Sequence, residues 1–280
     1  MSDAPGLISK DRRPHAQLRA CAAAITFLTR IPIGFVPHDA TDLAAAATYF
    51  PFVGLLVGGA GAIVFALAAM LWPPTLAVIL SVAFTVWLTG AFHEDALADA
   101  LDGFGGGWDR AQVLAIMKDS RVGSYALVGV VLVLGAKIAA LRAIFDSAPV
   151  DHRFVRAGTL VVGRALVAAH VLGRWSSVAL IADHAYVRAT ALDERSGVGR
   201  PFAGAVTRTR LAIATALALL ITIAVLERAT LAVVIVAGAV VWLAGRYFER
   251  RIGGITGDAL GAANQLVELA VYLTLAAHRT

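Results

Sequence analysis

The sequence specifies an all-α, polytopic integral membrane protein, a helical bundle of about seven transmembrane helices with an N-terminal interfacial or re-entrant helix ahead of it. Three observations predict this. The 280 residues are 59% hydrophobic and 15% charged, with a mean hydropathy of +0.77, too apolar for a soluble domain of this length. The apolar residues fall in long runs separated by short polar connectors, as spans of a bilayer require. Lysine and arginine gather in alternate connectors, the mark of a chain threaded with its basic loops inside.

The elements follow in order. Residues 1–19 are polar and basic, and a short apolar run, Ala20 to Leu28, leads to Thr29-Arg30-Ile31-Pro32. No small-residue cleavage site precedes Arg30, so this reads as a retained segment; Arg30 and Pro32 make it a poor span and an interfacial or re-entrant helix instead. Pro51 to Trp72 is charge-free and longer than the ~20 residues a bilayer core needs. Pro73-Pro74 break the helix, and Thr75–Phe92 form the next run. The remaining runs are Val122–Phe145, Thr159–Ala182, Leu211–Leu226, Ala229–Gly245 and Ala259–Ala277. Residues 1–280 thus read as one membrane-embedded domain, with 1–50 a cytoplasmic or interfacial lead and 51–277 the bundle.

With Pro51–Trp72 as the first span and the N-terminus inside, the outer connectors and tail hold only Arg153, Arg156, Arg228 and Arg279. The other connector lysines and arginines fall inside. The basic pI near 9.8 therefore reports topology and not a nucleic-acid patch. Lys137, Arg142 and Arg164 lie toward outer ends and are expected to snorkel. Arg174, beside Trp175 and nearer the inner side, either snorkels or serves as a phosphate clamp. The single cysteine, Cys21, has no partner for an internal disulfide.

The chemistry is densest at His93-Glu94-Asp95-Ala96-Leu97-Ala98-Asp99-Ala100-Leu101-Asp102-Gly103. On a helix Asp95 and Asp99 are i, i+4 and Asp102 follows three residues on, so three carboxylates share one face. Anions held that close raise one another's pKa or recruit a cation, and Mg²⁺, which takes oxygen ligands and leaves room for phosphate oxygens, suits such a face. A solvated helix flank is the competing reading. The glycines after Asp102 either end the helix or let the backbone approach a phosphate, and Asp109 is a candidate cap for a short helix that follows. Lys118 and Arg121 lie on the same side as the acids and could bind phosphate charge; positive-inside flank, with Asp119 or Ser120 as a cap, is the alternative. The last run opens with Gly253-Gly254-Ile255-Thr256-Gly257-Asp258, and Gly261, Asn264 and Glu268 extend a small-polar stripe down it. Capping explains Thr256 or Asp258, but not Asn264 and Glu268 deep in a lipid-spanning helix. A further metal ligand from here would close the site begun by Asp95, Asp99 and Asp102.

The 93–103 stretch, with Ile116-Met117-Lys118-Asp119-Ser120-Arg121-Val122-Gly123, Gly173-Arg174-Trp175, Gly254-Ile255-Thr256-Gly257-Asp258-Ala259-Leu260-Gly261-Ala262 and Thr29-Arg30-Ile31-Pro32, resembles the ordered motifs of the cobalamin synthase (adenosylcobinamide-GDP ribazoletransferase) family. The one departure is Ala96, where that family usually carries glycine; a methyl there would narrow the approach to a phosphate. The resemblance implies a multi-pass enzyme of the bacterial inner membrane with its site facing the cytoplasm. It implies attack by a hydroxyl of α-ribazole or its 5′-phosphate on adenosylcobinamide-GDP, with release of GMP and a requirement for Mg²⁺. Asp95, Asp99 and Asp102 would then be metal ligands, and Asp258 would complete the site or orient the nucleophile. His93 or one aspartate would take the proton, while Lys118 and Arg121 hold diphosphate oxygens. Its partners are these small molecules and membrane lipid, with room for a homo-oligomer or association with other corrinoid enzymes. Two alternatives stand beside it. A CDP-alcohol phosphotransferase would carry an Asp-Gly-x₂-Ala-Arg pattern, which is missing after Gly103, and a secondary transporter would show internal repeats, which are not seen.

Overall fold

Every apolar run becomes helix, and the breaks fall where proline, glycine or paired charges interrupt the pattern. The computed structural model describes residues 16–33, 45–148, 154–187 and 206–277. The helices are α1 (Ala16–Leu28), α2 (Phe50–Ala68), α3 (Pro74–Thr89), α4 (Phe92–Gly106), α5 (Arg110–Ile116), α6 (Ser124–Asp146), α7 (Phe154–Asp183), α8 (Arg208–Leu226), α9 (Thr230–Ile252) and α10 (Gly257–Ala277). Among the described residues there is no strand, only an isolated bridge between Tyr186 and Ile255. The basic residues Lys10, Arg12, Arg13, Arg153, Arg188, Arg195, Arg200 and Arg279, used in the topology argument, lie outside the described residues, as does Arg156 for its side chain.

Five stretches are long and apolar enough to cross a bilayer: Ala47–Ala68, Ser124–Asp146, Ala157–Asp183, Arg208–Ile252 and Gly257–Ala277. The stretch Arg208–Ile252 folds back on itself at Glu227, whose φ of 49° breaks the helix. Leu211 and Ala214 at the start of α8 pack in one apolar cluster, Ala218 and Val225 in a second, Val233 and Ala237 of α9 in that second, and Ala244 and Phe248 back in the first. The Thr230 hydroxyl donates to the Thr222 carbonyl across the turn at 3.3 Å. The two runs read there from the sequence are thus an antiparallel pair.

Helix α3 differs from expectation. It is too short to pass as a span by itself and does so only together with α4, from which it is bent by 88°. Gly90 and Ala91, both at positive φ, make the bend. A backbone N–H of Arg30 donates to the Leu88 carbonyl at 2.8 Å, tying the end of α1 to the end of α3 beside that bend. The bend turns α4 out of the direction of α3 and places its acids at the end of the bundle that holds α5, the start of α10 and the basic residues Arg110, Lys118, Arg246 and Arg251.

The bundle is knit by small residues. Side chains at Gly54 or Gly58 of α2 would collide with the backbone of α7 at His170 and Leu166, so these helices approach at backbone distance. The first apolar cluster, containing Leu97, Met117, Ile252 and Leu260, backs the acidic end, and the second, containing Phe65, Leu141, Leu166 and Tyr272, fills the other. At the acidic end, Val187 donates to the Ile255 carbonyl at 2.8 Å and Ile255 to that of Ala185 at 2.9 Å, which fixes the chain entering α10.

Candidate active site

Helix α4 carries two chemistries on opposite faces. At 100° per residue, Asp95, Asp99 and Asp102 share one side, whereas His93 lies about 200° from Asp95. The structure agrees: Asp95 is exposed and Asp99 half-buried, while His93 is 3% exposed. His93 faces the charged interior around Arg174, Glu268, His170 and Lys137, so it stands away from the aspartate face.

Helix α10 brings the fourth acid. Thr256 is its cap, accepting from the Ala259 N–H at 3.1 Å, which leaves the Asp258 carboxylate unused by the helix. Asp258 is half-buried, within electrostatic reach of Asp99 and Asp95, and Lys118 is the cation that acts on it. Among the described residues no hydrogen bond reaches the carboxylates of Asp95, Asp99 or Asp258. Nor are any three His, Cys, Asp or Glu side chains there gathered closely enough to hold a metal ion unaided. The result is a partly exposed face of like charge shared by two helices and not a closed cage.

Asp102, although on the same stripe, is engaged elsewhere. Its Oδ2 accepts from the Gly123 N–H at 2.6 Å and its Oδ1 from the Ala126 N–H at 2.9 Å, so it caps the start of α6, which has no side-chain cap of its own. A side chain at Gly123 would strike this carboxylate, which accounts for the glycine. Arg121 is exposed and clasped by Asp119: its backbone N–H and Nε donate to Oδ1 at 3.1 and 2.9 Å and Nη2 to Oδ2 at 2.5 Å. These bonds hold the Asp119 carboxyl down at about 2 and raise the Arg121 guanidinium above its ordinary value. Neither Asp119 nor Ser120 caps α6. Asp109 does cap α5, accepting from Gln112 N–H at 2.9 Å. In the glycine run, side chains at Gly103 and Gly107 would strike Met117 and Val113 of the α5 region, so these glycines serve the close packing of α4 against α5. Ala96 is 7% exposed and points into α10, where Gly261 has no side chain to oppose it.

Behind the cleft lies a second cluster that sequence reasoning did not assemble. Lys137 does not snorkel: it is 3% exposed, and its Nζ donates to Glu268 Oε2 at 2.7 Å and Gln265 Oε1 at 2.5 Å. Arg174, 2% exposed, neither snorkels nor reaches the acids; its Nη1 pairs with Glu268 Oε1, and His170 Nδ1 lies 2.8 Å from the same oxygen. Gln265 Nε2 in turn donates to Glu94 Oε1 at 3.0 Å. Asn264 is wholly buried with neither side-chain atom bonded, and it packs beside Gly173 of α7. Arg142 and Arg164 do sit at the rim as expected, paired with Asp146 and Glu227. The available signal for Lys137 was its position as an ionisable residue inside a span; its partner, 131 residues away, leaves no local pattern.

The profile of the cobalamin-5-phosphate synthase family matches residues 20–276. An adenosylcobinamide-GDP ribazoletransferase of Leptothrix cholodnii is 43% identical over 259 residues, covering 89% of this chain and 92% of that protein. Proteins of the same name from Shewanella frigidimarina and Shewanella amazonensis are each 38% identical over 262 residues, covering 93% and 92% of this chain and 95% of each of theirs. No solved structure matches the chain.

Proposed function

The chain belongs to the cobalamin-5-phosphate synthase family, and we propose that it joins adenosylcobinamide-GDP to α-ribazole or α-ribazole 5′-phosphate, giving adenosylcobalamin or its 5′-phosphate and GMP. The observation that carries the reading is the facing of Asp95 and Asp99 on α4 by Asp258 on α10, with Lys118 alongside. Three carboxylates without hydrogen-bond partners among the described residues repel one another until a cation joins them.

The donor set fits Mg²⁺. That ion keeps several waters and is bound through one or two carboxylates plus substrate phosphates, which an open all-oxygen cleft suits better than a closed cage would. When bound, Mg²⁺ neutralises diphosphate charge. Asp95, Asp99 and Asp258 would hold it together with the substrate's phosphate oxygens; Asp102, committed to α6, orients α4 by fixing it to the start of that helix. Lys118 supplies positive charge for the diphosphate, and Arg121 does so once it exchanges Asp119 for phosphate oxygens. In the transfer, the ribazole hydroxyl oxygen bonds to the cobinamide-side phosphorus as the bond from that phosphorus to the GMP oxygen breaks. The hydroxyl proton passes to a carboxylate of the cleft, because His93 stands on the other side of α4. The basic residues Arg110, Lys118, Arg246 and Arg251 at the same end as the acids support a cytoplasm-facing site in the inner membrane.

The test is product formation. Membranes carrying the protein, given adenosylcobinamide-GDP with each ribazole form, are expected to release GMP and form the cobamide only with Mg²⁺ present. Absence of product from folded protein with both forms would overturn the proposal.

A further inference from the structure

We propose that Glu94 and Gln265 are positioning residues that set the register of α4 against α10 and, with it, the spacing of Asp95, Asp99 and Asp258. The inference rests on the function proposed above. The two helices run antiparallel, and three pairings step along them: the hydrogen bond from Gln265 to Glu94, the close approach of Ala96 to Gly261 and, farthest out, Asp258 within electrostatic reach of Asp99. The middle contact is apolar and non-directional. The outer one is repulsive. Of the three, only the inner one is both directional and attractive, so it adds a specific axial restraint to the close fit of Ala96 against Gly261.

The inner contact is itself pinned. Gln265 is 1% exposed. Lys137 has only donors to offer, so the amide oxygen must face it, and the amide nitrogen is thereby aimed at Glu94. Lys137 is held in turn by Glu268, which Arg174 and His170 also engage. A slip of one turn, about 5.4 Å, would leave the buried amide without a carboxylate acceptor. Glu94 adjoins Asp95 in sequence, so the restraint passes to the cleft through a single peptide unit.

Three variants of the full-length protein test this: Glu94→Leu and Gln265→Met, which remove the link, and Glu94→Gln, which keeps an oxygen to accept it. The readouts are kcat, KM, the Mg²⁺ concentration for half-maximal rate, and Mn²⁺ affinity by electron paramagnetic resonance. Glu94→Leu and Gln265→Met are expected to weaken Mn²⁺ binding and raise the Mg²⁺ requirement about tenfold, as loss of an outer-shell partner does, with organic-substrate KM moving less than about twofold. Glu94→Gln is expected to stay within about threefold of the parent. Unchanged metal affinity in Glu94→Leu, or Glu94→Gln as impaired as Glu94→Leu, would overturn the inference. If Gln265→Met does not accumulate folded, the Glu94 pair decides. A parent protein that binds Mn²⁺ yet makes no cobamide would sink the proposed function while the Mn²⁺ readings still judge the register.

Discussion

Two groups of charge share α4 and α10, a few turns apart, and their charges are met in opposite ways. Around Glu268, a carboxylate is surrounded by Lys137, Arg174 and His170, buried to a few per cent exposure and hydrogen-bonded. Around Asp99, carboxylates from two helices face one another with Lys118 as the nearby cation. Paired buried charge fixes which helices touch and in what register. Under the function proposed here, the unpaired charge around Asp99 is met by a metal ion and substrate from outside the chain.

Removing a member of each group is the sharpest way to separate them. Glu268→Ala removes the buried carboxylate with which Lys137 and Arg174 both pair, and is expected to cost about 3–5 kcal/mol of stability. Its yield and melting temperature in detergent would fall whether or not substrate is present. Asp99→Ala is expected to do the reverse, lowering cobamide formation by at least about 100-fold, or ~2.7 kcal/mol of barrier, with melting unchanged or improved as repulsion is relieved. If both variants lost stability equally, the distinction would fail.

Smaller effects refine it. Asp102→Ala removes the cap of α6 and is expected to cost about 1–2 kcal/mol, with activity declining in step with folded protein and the Mg²⁺ requirement unchanged. A raised Mg²⁺ requirement would return Asp102 to the ligand set. Asp119→Asn is expected to lower the melting temperature only slightly at neutral pH, because the pair with Arg121 is exposed. The depressed Asp119 carboxyl gives any stability from this pair its full value above the ordinary carboxylate range, and that contribution is lost as pH falls toward about 2. Melting curves of parent and Asp119→Asn should therefore converge in acid, not in base.

The sequence made the aspartate group legible and hid the Glu268 group for a physical reason. Asp95 and Asp99 are i, i+4, a spacing that places them on one face whatever the fold, and the Thr256 cap next to Asp258 is equally local. The opposition of His93 to that face follows from the same helical angle. The diversion of Asp102 to Gly123 and the pairing of Lys137 with Glu268 are tertiary, made across 21 and 131 residues, and no periodicity encodes them. The helices were readable because a bilayer demands long apolar runs. The bend at Gly90-Ala91 was not, since Gly90 interrupts the run without any polar break and Ala91 carries a conformation that its side chain does not advertise.

If acids from two helices share one divalent ion, weakening the one on α10 must weaken the ion's hold, and titrating turnover with Mg²⁺ in Asp258→Asn beside the parent protein measures this. The expected result is retained folding with the half-saturating Mg²⁺ concentration raised about tenfold or more. An Asp258→Asn protein with the parent's Mg²⁺ dependence and rate would contradict it.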